Sequence, residues 1–183
     1  MPARTQFLSQ IRPVRWLVLL LLSCVSTAFA FPESEPQLEA AYLVNFMKYV
    51  DWPASNRTTT TICLFGRDTL GPFLAGYEGR SVGGKELRIR RANSPDDMSN
   101  CQLVYIPDIE EARIGVVLRW IQNMPILAAS NTDGFARAGG GIELVRSTGR
   151  VQFIVNAESL TKNGLTPSSQ MLRLAQKVIG AER

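Results

Sequence analysis

The side chains that could do chemistry in this sequence are few. They are Cys63 and Cys101, the adjacent carboxylates Asp96-Asp97 and Glu110-Glu111, the turn Gly66-Arg67-Asp68-Thr69-Leu70-Gly71, the tract Gly139-Gly140-Gly141, and Asn45 and Lys48 beside a run of apolar residues. Histidine is absent, which removes the commonest acid–base group, the Ser-His and Cys-His nucleophile pairs and most zinc sites. No C-x-x-C occurs, so thiol redox catalysis has no motif to run on. Neighbouring carboxylates do not converge on one substrate atom. Asp96-Asp97 therefore reads as loop charge, and Glu110-Glu111 as helix N-terminal charge. No catalytic residue, metal or cofactor is expected.

Two positions could still hold a ligand. The turn from Gly66 to Gly71 follows an apolar strand and opens a helix, so its backbone N–H groups, with Arg67 beside them, could cradle an anion. It lacks the Lys-Ser/Thr ending of a phosphate loop and fits no dinucleotide pattern, and a plain strand-to-helix turn accounts for it as well. Asn45 is the other candidate, although an amide within an apolar stripe more often satisfies buried backbone. Lys48 reads as solvated, and Gly139-Gly140-Gly141 as the entry to a hairpin.

The elements that must position these residues follow from periodicity. Leu38, Ala41, Tyr42, Asn45, Phe46 and Tyr49 recur at helical spacing, which predicts a helix over Pro36 to Val50, ended by Asp51-Trp52-Pro53. Thr58 to Phe65, Glu86 to Arg90, Cys101 to Ile106 and Pro125 to Ser130 read as strands, with a short helix after Asp68 and a longer one over Glu110 to Gln122. Gly141 to Arg146 and Arg150 to Asn156 flank the turn Ser147-Thr148-Gly149 as a hairpin. Asn156 caps a helix to Asn163, and Thr166-Pro167 start a last helix to Ile179. Strands alternating with helices predict an α/β fold in three layers: a largely parallel mixed sheet flanked by helices, with the hairpin at the C-terminal end.

The N-terminus reads as an export signal. Arg4, Arg12 and Arg15 precede the apolar run Trp16 to Leu22, and Ala28-Phe29-Ala30 follows as an A-x-A cleavage site. Leu21-Leu22-Ser23-Cys24 resembles a lipoprotein box but ranks behind Ala30. Residues 1–30 are thus expected to be removed, leaving one domain over 31–183. The 20 Lys and Arg then fall to 17 against 16 Asp and Glu, so charge does not point to nucleic acid. No further segment is apolar enough to enter a membrane. Of three cysteines, Cys63 and Cys101 remain after cleavage. In an oxidising compartment an even number suggests a disulfide, with two separately buried thiols as the alternative that spacing leaves open.

The segment Tyr42-Leu43-Val44-Asn45-Phe46-Met47-Lys48-Tyr49-Val50-Asp51-Trp52-Pro53 closely resembles the opening helix of the YfiR family of periplasmic regulators. Further matches follow in the family's order: Ile62-Cys63-Leu64-Phe65-Gly66, Ser99 to Ile106, Gly134-Phe135-Ala136 through Gly139-Gly140 to Ile142-Glu143-Leu144-Val145, Val151 to Asn156, Gly164-Leu165, and Leu172-Arg173-Leu174-Ala175. The resemblance implies a periplasmic, non-enzymatic protein that binds the periplasmic sensor region of an inner-membrane diguanylate cyclase and represses it, so limiting cyclic di-GMP and biofilm formation. It implies release through an outer-membrane lipoprotein, a homodimer, and a disulfide at Cys63 and Cys101. Some members carry a second cysteine pair and ligand-site histidines that this chain lacks. The competing expectation is a periplasmic small-molecule sensor for a nucleotide or aromatic metabolite, with its ligand near Gly66.

Overall fold

The computed structural model describes residues 34–147 and 150–180. The expected signal segment, the start of the leader that follows it and the tip of the hairpin, 148–149, lie outside these. Helix α1 (Glu35–Tyr49) carries Pro36 in its first turn, where a missing N–H costs nothing. It buries Glu39, Ala40, Leu43, Val44, Phe46 and Met47. That stripe is rotated from the expected one, and Asn45, placed inside it by the sequence, is exposed. The cause is bulk: Leu43, Val44 and Met47 remove more apolar surface from water than Ala41 and Asn45 would.

The chain continues through β1 (Val50–Asp51), β2 (Thr59–Phe65), α2 (Gly71–Leu74), β3 (Ser81–Val82), β4 (Lys85–Ala92) and β5 (Leu103–Ile106). Then come α3 (Ile114–Trp120), β6 (Leu127–Ser130), β7 (Ile142–Ser147), β8 (Arg150–Asn156), α4 (Ala157–Lys162), β9 (Thr166–Pro167), α5 (Ser169–Leu174) and β10 (Lys177–Ile179). Strands β1 and β9 pair antiparallel as a ribbon, and the main sheet has the order β10-β8-β7-β6-β5-β2-β4-β3. Its centre, from β4 through β2, β5 and β6 to β7, is parallel, whereas β7–β8 and, at the other edge, β3–β4 pair antiparallel. Strand order reverses between β2 and β5, so the C-terminal ends of these two strands mark a topological switch point.

Period-2 alternation divides each central strand between two cores. Ile62 and Leu64 of β2, Leu103 and Tyr105 of β5, and Leu127 and Ala129 of β6 face the core shared with α1. Their neighbours Cys63, Phe65, Val104, Ile106 and Ala128 face the core shared with α3. Helices therefore cover both faces of the sheet. Each fully buried Leu or Phe contributes about 1.5–3 kcal/mol relative to exposure. Helix α1 docks on the hairpin through an aromatic cluster in which Phe153 lies 5.1 Å from Phe46 and 5.6 Å from Tyr42, while the Tyr42 hydroxyl donates to the Val151 carbonyl at 3.0 Å.

Two expected helices are revised. The one over Glu110 to Gln122 splits into a 3-10 segment, Asp108–Arg113, and α3, with Glu110 out of helical conformation at φ −103°, ψ 16°. The last one stops at Leu174. Ala175 is extended, the Gln176 N–H donates to the Phe153 carbonyl at 2.8 Å, and Lys177–Ile179 pair in parallel with β8. The open edge of β8 thus recruits backbone that local spacing assigned to helix. Thr166-Pro167 likewise lie in β9, paired with Val50 and Asp51, and Ser168 is the N-cap of α5.

Candidate functional site

At the switch point β2 is followed by Gly66, whose φ of +68° favours glycine. The Gly66 N–H donates to the Ala92 carbonyl at 2.8 Å, and the Arg67 N–H donates to Glu110 Oε1 at 3.1 Å. One of the amides that the sequence offered to an external anion is thus occupied by the chain's own carboxylate. Glu110 also accepts from Arg113 Nη1 at 3.3 Å, and its side chain is only 11% exposed. The Arg67 amide and, after it, Arg113 hold the Glu110 carboxyl below the usual carboxylate range. Arg113 in turn lies 4.2 Å over the Phe65 ring and donates to the Asn93 carbonyl at 2.6 Å. The Arg67 side chain is 81% exposed, with its Nε 4.0 Å from Glu110 Oε1.

The structure does not bring Asn45 together with Gly66 and Arg67. Asn45 accepts from Lys48 Nζ at 3.3 Å on the exposed side of α1. Asp97 accepts from the Asn93 and Ser94 N–H groups at 2.9 Å each, completing a capping box at Pro95–Met98. Those bonds, the Asn93 amide foremost, lower its pKa.

Cys63 of β2 and Cys101, two residues ahead of β5, form a disulfide with Cα atoms 5.8 Å apart. Both residues are buried in the α3-side core. The bond joins the two strands that flank the switch point, and the Gln102 N–H donating to the Thr61 carbonyl at 2.9 Å reinforces it.

A second polar assembly lies near the C-terminal ends of β5 and β6, and sequence reasoning missed it. Glu39 of α1 is fully buried. Its Oε1 accepts from Arg146 Nε at 2.6 Å and its Oε2 from the Tyr105 hydroxyl at 3.2 Å. Burial, and next the Glu39 charge, push the Tyr105 phenol well above its ordinary range, so it stays a donor. The bond to Glu39 raises the pKa of Arg146 likewise. Outside it lies a polar depression of about 440 Å³ bounded by Asp108, Glu111, Asn131, Thr132, Asp133 and Arg146. A signal for Glu39 existed in its helical register with Ala40, Leu43, Phe46 and Met47. Glu143 is a further buried carboxylate, and its two oxygens accept from the Gly134 and Ala136 N–H groups at 3.0 Å each.

Asp97, Glu110 and Glu143 are committed to backbone N–H groups of the loops they hold, and Glu39 to Arg146 and Tyr105 of the sheet. Among the described residues no three His, Cys, Asp or Glu side chains converge as a metal site, and no helix is long and apolar enough to cross a membrane. The fold is that of an open, doubly wound α/β sheet with an antiparallel hairpin at one side. A family model for YfiR/HmsC-like proteins matches residues 36–176, and the chain belongs to that family. Among solved structures it is similar to an ABC domain in complex with L-Trp from Streptococcus pneumonia, with a TM-score of 0.52 and 12% identity, over 76% of this chain and 62% of that one. The likeness concerns the fold alone.

Proposed function

We propose that the chain is exported, cleaved after Ala30 and works in the periplasm as a single domain, residues 31–183. There it binds the periplasmic sensor region of an inner-membrane diguanylate cyclase and holds that enzyme inactive. The observation that carries this reading is the family match across 36–176, reinforced by the ordered motifs from Tyr42 to Ala175. The protein acts by binding, without cofactor or turnover, and as a homodimer. An outer-membrane lipoprotein relieves the repression by sequestering it. Repression requires tighter binding to the inactive cyclase than to the active one. A preference of about 5.5 kcal/mol moves the cyclase from 99% active to 99% inactive. The competing reading, a periplasmic small-molecule sensor for a nucleotide or aromatic metabolite with its ligand near Gly66, has less support, since Glu110 accepts the bond that the Arg67 amide would give a ligand.

The test is capture from envelope extracts by the protein expressed from the full-length gene, with bound partners identified by mass spectrometry. A membrane diguanylate cyclase retained through its periplasmic region is the expected result. Repeated capture without any cyclase would overturn the reading.

A further inference from the structure

The main sheet ends in two unequal strands: β4 runs for eight residues, Lys85–Ala92, and β3 covers it with only two, Ser81–Val82. Free N–H and C=O groups on an edge strand are a template for another chain, which folded proteins ordinarily block. The Glu86 N–H donates to the Thr58 carbonyl and the Ala92 carbonyl accepts from Gly66. Alternation therefore turns the backbone of Leu87, Ile89 and Arg91 outward, away from β2.

Each outward group can be followed to its partner. Leu87 donates to the Arg80 carbonyl and accepts from the Gly79 N–H, both at 2.9 Å. There the neighbouring backbone leaves the edge, through Gly79 at φ +76° and the 3-10 turn Ala75–Tyr77 that precedes it. The next outward donor, the Ile89 N–H, is taken by a side chain instead, Glu78 Oε2 at 2.6 Å. Glu78 Oε1 lies 3.5 Å from Arg88 Nη1 of the same strand. Past the end of β4 the Asn93 N–H goes to Asp97 Oδ2 at 2.9 Å. Between these two carboxylates the Arg91 N–H has no acceptor among the described residues. The Glu78 carboxylate thus stands where the carbonyl of a longer β3 would stand, and takes a donor that an incoming strand would need. The side chains add a second barrier. Arg88, Arg90 and Arg91 are exposed, so a copy of β4 laid against this edge would set arginine near arginine.

We propose that Glu78 is an intramolecular plug that keeps the β4 edge from adding a strand of a second copy of this chain, with the arginines of β4 as an electrostatic guard. The plug does not depend on the repressor reading. Its first test is amide exchange, followed by NMR, in the unaltered protein expressed from its full-length gene. After correction for intrinsic rates, the Ile89 amide should exchange at least about tenfold more slowly than the Arg91 amide, as a hydrogen bond to a charged group implies. Equal rates would overturn the plug whether or not any variant folds. Sedimentation velocity then compares the parent with Glu78→Ala and Glu78→Gln at about 0.1 M and about 1 M salt, between which the Debye length falls from about 10 Å to about 3 Å. Glu78→Ala leaves Arg88 with Glu86 at 3.0 Å and should associate beyond the parent's own state, most at the higher salt. Glu78→Gln keeps an acceptor for the Ile89 N–H and should sediment like the parent. No added association of Glu78→Ala at either salt, or equal association of Glu78→Gln, would overturn the proposal.

Discussion

Glu39 and Arg146 share an ion pair under unequal solvation: Glu39 is fully buried, whereas the Arg146 side chain is 42% exposed. Removing the arginine strands a charge inside the α1-side core with only Tyr105 to meet it, and breaking such a pair costs more than forming it gains. Arg146→Ala should therefore lower stability by about 3 kcal/mol, the low end of the range for buried pairs, measured by urea unfolding at pH 7. A loss no larger than that of an exposed surface pair would show that the pair is not needed to hold the buried carboxylate. Glu110 gives a pH test. Its pKa is depressed in the folded state, so its stabilisation is present above the unfolded value of about 4.3 and is lost as pH falls through the folded value. Glu110→Gln should be less stable than the parent at pH 7, and the difference should shrink on acidification below about pH 4. Thermal melts across that window read it directly. At this scale the sequence was legible in part. Cys63 and Cys101 stood out by number and expected compartment. Glu39 did not, because an acid on a helix ordinarily faces water and its partners, Arg146 and Tyr105, lie 107 and 66 residues away in the chain. Asn45 was misplaced for the converse reason: it is flanked by apolar residues in sequence, yet it faces solvent.

The disulfide acts at the scale of elements. It closes a separation of 38 residues between β2 and the entry to β5, and the chain-entropy model gives about 4 kcal/mol for a loop of that length. Cys63→Ser should cost about 2–5 kcal/mol, and non-reducing peptide maps of the parent should show a single Cys63–Cys101 bridge. Because both cysteines are buried, reductant should cleave the bond only as fast as the protein opens, whereas immediate reduction of the native state would contradict that burial. The parallel strands were legible because a strand covered on both faces reads as a β-branched and apolar run, as Thr59-Thr60-Thr61 followed by Ile62–Phe65 does. The last strand, Lys177–Ile179, was not. Its three residues carry no period of their own, and they are extended because β8 offers an unpaired edge. The break at Glu110 was hidden similarly, since it depends on an amide 43 residues earlier.

For the whole molecule, the repressor reading proposed above makes the amount of folded protein set against cyclase the quantity that decides output. On that reading, deleting the gene in its own host should raise cyclic di-GMP and surface attachment, because the cyclase would return to its active state. Cys63→Ser should behave as a partial deletion. The cysteine is buried between the sheet and α3 and presents nothing to a partner, so its loss acts through the folded fraction, and a few kcal/mol changes abundance several-fold. The two effects separate on titration. Raising expression of the Cys63→Ser protein should restore repression in proportion to folded protein recovered from the envelope, whereas a variant lacking a true contact would stay defective at equal abundance. Cyclic di-GMP measured against folded protein, quantified by immunoblot of the protease-resistant envelope fraction, supplies both axes. If deletion leaves cyclic di-GMP unchanged across growth conditions, repression is not what this fold is for. If the Cys63→Ser protein instead accumulates normally and still fails to repress, the disulfide supports the binding surface itself.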